Sequence, residues 1–375
     1  MKPRIWLSPP HLGGKELSYI QDAFSSNYIS TVGANIDCFE KSICDYTGSS
    51  YAIALSSGTA AIHLGLIAAG VQQGDEVLCS TFTFVATANP ILYQKAIPVF
   101  VESEAQSWNM SPAFLEEAIE NRIKKGKKPK AIVVVHLYGQ AAKLEELCAI
   151  AEKYSIALIE DAAESLGSWY KDKHTGTFGK AGIFSFNGNK IISTSGGGAL
   201  VTNDKILAEQ VRFLSAQARD TAPYYWHSQL GYNYRMSNIL AGIGIGQMEV
   251  LEERISKRKS NSNYYRNNLK DIKALSFSPE LPDTISNHWL NCIVINNNIC
   301  AVKPATIIEA LEQENIEARH LWKPMHTQPL FKECPYYGDR FSERLFESGV
   351  CLPSGSQLTQ QDLQRITGVI SNVIN

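Results

Sequence analysis

The sequence predicts an α/β protein: a large domain on a mostly parallel mixed sheet, followed by a smaller α+β domain at the C-terminus. Three observations carry this. Apolar strand-like runs alternate with helix-like stretches from residue 51 to 186, and several end in short segments of Ser, Thr, Gly and Asn. Beyond about residue 250 the chain turns polar and its elements shorten, which assigns 1–250 to an N-terminal segment plus the large domain and 251–375 to the small one. With 375 residues, 44% of them hydrophobic, there is apolar material for both cores.

After an irregular N-terminal segment, YAIAL (51–55) reads as a strand, TAAIHLGLIAAG as a helix and EVLCS as a strand. A second helix leads to AIPVFV (96–101), which is βαβ order. AIVVVHL (131–137) is the next strand. Apolar residues at 144, 147, 148 and 151 predict a helix over 143–154, and IALIED returns to strand. GIFSF (182–186) is a further strand ahead of the glycine run TSGGG (194–198). In the last third, EVLEERISKRKSNSNYYRNNLK predicts a long polar helix, and NCIVI and ATIIEALEQEN a shorter strand and helix. There is no internal repeat, low-complexity tract or heptad array.

Thirty-five basic residues against 37 acidic ones leave no net field to gather nucleic acid. The one basic cluster, Arg122 to Lys130, reads as a solvated loop before AIVVV. Eight cysteines without CxxC pairs or accompanying histidine spacing read as reduced thiols. The eight histidines include no HExxH, so no metal site is expected, and His136, inside an apolar strand, reads as structural. MKPRIWLSPP lacks an apolar signal region, and no run approaches the roughly 18 apolar residues of a membrane span. A soluble cytoplasmic protein is expected.

Parallel sheets collect ligands beyond the carboxyl ends of their strands. SSGT (56–59), TFTF (81–84), Asp161 and the SFNGNK loop all fall there. Lys190, 29 residues after Asp161, makes this an enzyme's pattern: an amine that forms a Schiff base and an acid that keeps a pyridine nitrogen protonated suit pyridoxal phosphate. Ser57, Gly58 and Thr59 open a helix whose free N–H groups suit the phosphate, although ordinary N-capping explains Ser57 or Thr59 equally. Phe84 suits stacking on the ring; without a cofactor it reads as core. Asp161 beside Glu160 and Glu164 makes an acidic cluster that a pyridinium N–H would relieve. Two competing motifs are weaker. Gly242, Gly244 and Gly246 in AGIGIGQ lack dinucleotide-loop spacing and suit close helix packing. AESLG resembles a nucleophile elbow at Ser165, but alanine replaces the first glycine.

SSGTAA, TFTFVATAN, EDAAESLGS, FSFNGNK and TSGGG occur in the order of the DegT/DnrJ/EryC1/StrS sugar aminotransferases, and the chain resembles that family over essentially its whole length. WLSPPHLGG, HLYGQAAK, AQARD, GYNYRMSN and LWKPMH are most similar to its bacillosamine-pathway 4-aminotransferases. The resemblance implies a fold-type I dimer with Lys190 as Schiff-base lysine, Asp161 at the pyridine nitrogen, Glu164 near the ring hydroxyl and Phe84 stacked on the ring. It implies phosphate contacts from Ser185 and, across the dimer, from Asn238. STSGGG replaces the TTGEGG of many relatives, and Glu164 stands where many have glutamine; both variants suit the bacillosamine branch.

The implied reaction moves the amino group of L-glutamate, through pyridoxamine phosphate, to C4 of a UDP-4-keto-6-deoxy-N-acetylhexosamine, with Lys190 carrying the proton. Candidate contacts to the nucleotide sugar are Asn27, Tyr28, Ile29, Ser30, Arg235, and the segment from Arg319 through Trp322 to His326. Tyr28 and Trp322 read equally as core aromatics, and His326 as a structural histidine. A dTDP- or GDP-linked sugar, or a PLP-binding regulator without catalysis, are the alternative readings.

Overall fold

The computed structural model describes residues 2–374. Strands β1 (Tyr51–Leu55), β2 (Glu76–Ser80), β3 (Ile97–Val101), β4 (Ala131–Val135) and β5 (Ala157–Asp161) are the predicted apolar runs. A two-residue hairpin, β6 (Trp169–Tyr170) and β7 (Lys173–His174), precedes β8 (Ala181–Ser185) and β9 (Gly198–Thr202). The C-terminal part adds β10 (Leu275–Phe277), β11 (Thr284–Ile285), β12 (Asn291–Ile295), β13 (Arg319–His320), β14 (Tyr336–Tyr337) and β15 (Gly349–Leu352).

Eight strands form one sheet in the order β1-β9-β8-β5-β4-β2-β3-β14. It is mixed because β9 runs antiparallel to both β1 and β8, whereas the pairs from β8 to β14 are parallel. Helices cover both faces, so strand residues alternate between two apolar environments rather than between core and water. Helices α1 (Glu16–Ser25) and α2 (Ala34–Thr47) precede β1 and α3 (Gly58–Ala68) follows it; Ile53, Val133, Ile159 and Ile183 pack with α3 on one face. Ala52, Ala54, Phe184 and Val201 pack on the other with Phe39 and Ile43 of the helix Ala34–Thr47. The three spaced glycines lie on the helix Asn238–Met248, where they let it close on its neighbours: a Cβ at Gly244 would sit 2.6 Å from the Phe39 ring.

The basic cluster departs from expectation. Arg122 and Lys124 belong to the helix Pro112–Lys124, and the Arg122 guanidinium is buried in a two-pronged pair with Glu76 at the start of β2. Its sequence neighbours are charged, but the helix period turns position 122 inward. A four-stranded sheet, β10-β12-β15-β13, carries the second core, with Ile293, Ile307, Leu311, Ile366 and Ile370. Two segments cross the division drawn at residue 250: Ile5 packs into this second core and bridges to Ile316, and β14 joins the large sheet.

Candidate active site

Four loops at the carboxyl ends of β1, β2, β5 and β8 surround a cavity of about 360 Å³. At its floor α3 begins. Ser57 caps it, its Oγ accepting from the Ala60 N–H at 3.0 Å, while the N–H groups of Gly58 and Thr59 donate to no atom of the described residues. Those two donors, with the positive end of the helix, face the cavity that both residues line. Ser185, ending β8, stands against this turn: a Cβ on Gly58 would lie 3.4 Å from its Oγ. A Cβ on Gly198 would run into the main chain of Ser57 and Gly58, so the glycine run lets β9 pass directly behind the turn.

Asp161 ends β5 with its carboxylate buried. Oδ2 accepts from Thr87 Oγ1 at 2.7 Å and Oδ1 from the Ala163 N–H at 3.2 Å; Thr83 in turn bonds Thr87 at 2.7 Å. Burial pushes the Asp161 acid up, against the Thr87 hydroxyl and the charge of Lys190. Three residues on, Glu164 Oε2 accepts from the Tyr138 N–H at 2.8 Å and Oε1 lies 3.3 Å from Lys190 Nζ. Burial raises Glu164 to about 7, opposed chiefly by that ammonium. Glu160 is not part of this cluster. Strand alternation turns it to the opposite face, where it accepts from the N–H groups of Gly176, Phe178 and Gly179 and pairs with His136 at 3.0 Å. Burial works against its charge, yet His136 and these donors hold it below the usual carboxylate range.

Phe84 is 54% exposed at the cavity mouth and is no core residue; its ring centroid lies 5.7 Å from that of Trp322, which also lines the cavity. Arg319 lines the wall with its guanidinium on Glu317. The remaining candidates lie elsewhere. His326 is structural: it bonds Thr81 at 2.6 Å and Glu343 at 3.2 Å and stacks on Tyr336 at 3.8 Å. Arg235 is held by Glu40 at 2.9 Å beside β1, outside the cavity. Asn238 is buried in a separate depression, donating to the Tyr28 carbonyl and accepting from the Asn35 N–H, with Ser30 bonded to its main chain. Tyr28 and Ile29 are about half exposed, so Tyr28 is not core. The elbow-like Ser165 is fully buried and bonded to Thr175, away from any attacking position.

Thr87 and Trp289 also line the cavity, and the sequence assigned neither a role. Thr87 sits one turn from Thr83, a spacing that could have marked it. Trp289 lies beneath Lys190, 4.4 Å from Nζ to ring centroid, in a stretch (SNHWLN) without any motif. Among the described residues, no three His, Cys, Asp or Glu side chains converge as metal ligands, and no helix is long and apolar enough to cross a membrane.

The family model described as the DegT/DnrJ/EryC1/StrS aminotransferase family matches residues 10–371. The chain belongs to this family. It is 50% identical, over 100% of its length and 97% of the relative's, to a protein of Bacillus subtilis (strain 168) described as a pyridoxal phosphate-dependent aminotransferase, EpsN. It is 36% identical to the GDP-perosamine synthase of Escherichia coli O157:H7, over 94% of each chain. A solved family member from Brucella abortus superimposes with a TM-score of 0.89 at 30% identity, covering 96% of this chain and 95% of that one. The protein is a fold-type I aminotransferase, and its cofactor is pyridoxal phosphate. The cavity fits that group: it is lined by two helix N–H donors and a hydroxyl for a phosphate, a buried carboxylate with no cation within bonding distance among the described residues, and the Lys190 amine.

Proposed function

We propose that the protein transfers the amino group of L-glutamate to C4 of a UDP-linked 2-acetamido-2,6-dideoxy-hexos-4-ulose. The observation that carries this reading is the convergence of Lys190, Asp161, Glu164, Ser185 and the α3 N-terminus on one cavity. Pyridoxal phosphate bound here would supply the electron sink for the reaction. The Gly58 and Thr59 amides and the Ser185 hydroxyl hold the phosphate, and Asp161, oriented by Thr87 and the Ala163 N–H, holds the pyridine N–H. Phe84 and Glu164, which line the same cavity, would help to hold the cofactor. Lys190 Nζ takes the proton from the α-carbon of glutamate in the first half-reaction and returns one to the sugar C4 in the second. Arginine could not do this, because its guanidinium stays protonated. Trp322 and Arg319 are the chain's own contacts to the nucleotide sugar. Asn238 and the Asn27–Ser30 segment, which do not line this cavity, serve the partner's site in a homodimer; Tyr28 and Asn238 line a separate depression.

The UDP assignment rests on the motif resemblance; the 36% identity to a GDP-perosamine synthase favours a GDP-linked 4-keto sugar as the second reading. Lys190→Ala should slow the glutamate half-reaction, read as loss of the pyridoxal absorbance, by at least about a thousandfold while cofactor still binds. An unchanged rate removes Lys190 from the reaction.

A further inference from the structure

We infer that Trp289 is a positioning residue for Lys190, its indole face holding the lysine's ammonium and so governing how readily that amine gives up its proton. The distance of 4.4 Å from Nζ to the ring centroid lies well inside the roughly 6 Å over which a ring face attracts a cation. The indole is almost wholly buried, so water screens little of that attraction.

The ring is fixed from several sides. Its Nε1–H donates at 2.7 Å to the carbonyl of Asn189, the residue immediately before Lys190, and Ser8 Oγ donates to the same carbonyl at 2.8 Å. The Trp289 carbonyl accepts from Arg258 at 2.6 Å, and Arg258 also donates to Ser8 Oγ at 3.0 Å. Tyr138 stacks at 6.5 Å between centroids and Trp322 meets the ring edge-on at 6.2 Å. Platform and lysine loop are thus tied to one carbonyl, and the platform follows the loop. Arg258 is fully buried with no carboxylate partner among the described residues, and burial pushes its guanidinium down to about 9. A buried guanidinium spent on a carbonyl and a hydroxyl points to a demand for fixed geometry here.

The charged groups facing Lys190 are Glu164 at 3.3 Å, Asp161, and Arg319 on the cavity wall, with Arg258 behind the Trp289 main chain. The carboxylates come from the end of β5 and the segment after it, whereas Trp289 comes from the segment leading into β12. An indole face stabilises the ammonium and leaves the neutral amine nearly untouched. Since a proton-carrying lysine must visit both forms, removing the ring raises the neutral fraction.

This inference rests on Lys190 being the reacting amine, and its test is separate from that reading. The holoenzyme in its pyridoxamine phosphate form, where Lys190 is free, is treated with acetic anhydride, and labelling of the Lys190 peptide is followed by mass spectrometry across pH. Trp289→Leu should label about tenfold faster at pH 7 and converge with the wild type at high pH, where the amine is neutral in both. Trp289→Phe, which keeps a smaller ring face, should fall between. Equal acceleration at every pH would mean only easier access, and no acceleration would mean no contact; either overturns the inference. Should Trp289→Leu not fold, Trp289→Phe still decides by whether its excess is confined to low pH. Loss of the Lys190→Ala effect on the glutamate half-reaction would overturn the functional reading and leave this labelling result standing.

Discussion

Glu164 shows how one residue can be conspicuous in sequence and acquire its chemistry only from its surroundings. The sequence places it three residues after Asp161; the fold buries it against Tyr138 and Lys190 and raises it to about 7. A carboxyl whose folded value lies above its ordinary one binds more protons folded than unfolded, so between about pH 4.5 and 7 stability falls as pH rises. Glu164→Gln removes that dependence. In denaturant unfolding of the cofactor-free protein, the variant should gain on the wild type by about 3 kcal/mol between pH 4 and 8, and a pH-independent difference would contradict the burial argument. Lys190, Asp161 and Glu164 were legible because a strand end and a glycine run bracket them. His326 and Arg235 drew attention as polar residues in recognisable motifs, but their partners Glu343, Thr81 and Glu40 are distant in sequence. Trp289 gave no signal, since an isolated aromatic acquires meaning only from what lies above it.

At the scale of elements, the apolar runs were legible because a sheet covered on both faces needs continuous hydrophobic strands. The reversal of β9 was not, since nothing in GALVT distinguishes an antiparallel strand from a parallel one. The basic stretch misled for a related reason. Charge composition suggests solvent, whereas helical period puts Arg122 against Glu76 and docks the helix Pro112–Lys124 onto the base of β2. Glu76→Ala would leave that guanidinium buried and unpaired, and equilibrium unfolding should show a loss of about 3–5 kcal/mol. A loss under 1 kcal/mol would mean that the pair behaves as a surface bridge.

For the whole molecule, the cavity draws on both parts of the chain: the large sheet brings Lys190, Asp161 and the α3 N-terminus, and the C-terminal part brings Trp289, Arg319 and Trp322. The family was legible from ordered motifs, several of which line the one cavity. The proposed nucleotide rests on fewer residues, because the candidate sugar contacts are spread over segments with little pattern. Asn238 and Asn27–Ser30 lie outside the chain's own cavity, and the proposed homodimer gives them a role. Lys190→Ala and Asn238→Ala subunits, each inactive alone, should recover part of the activity when mixed and allowed to exchange; no recovery would argue against shared sites.

The most direct test of the account is a single turnover of the pyridoxamine phosphate form with UDP-linked 2-acetamido-2,6-dideoxy-hexos-4-ulose, run beside a GDP-linked 4-keto-6-deoxyhexose. Cofactor absorbance and product mass would be followed together. Return of the pyridoxal absorbance and formation of an amino sugar are expected with the UDP substrate, faster than with the GDP substrate. Failure of both sugars to discharge the cofactor would contradict the proposed reaction.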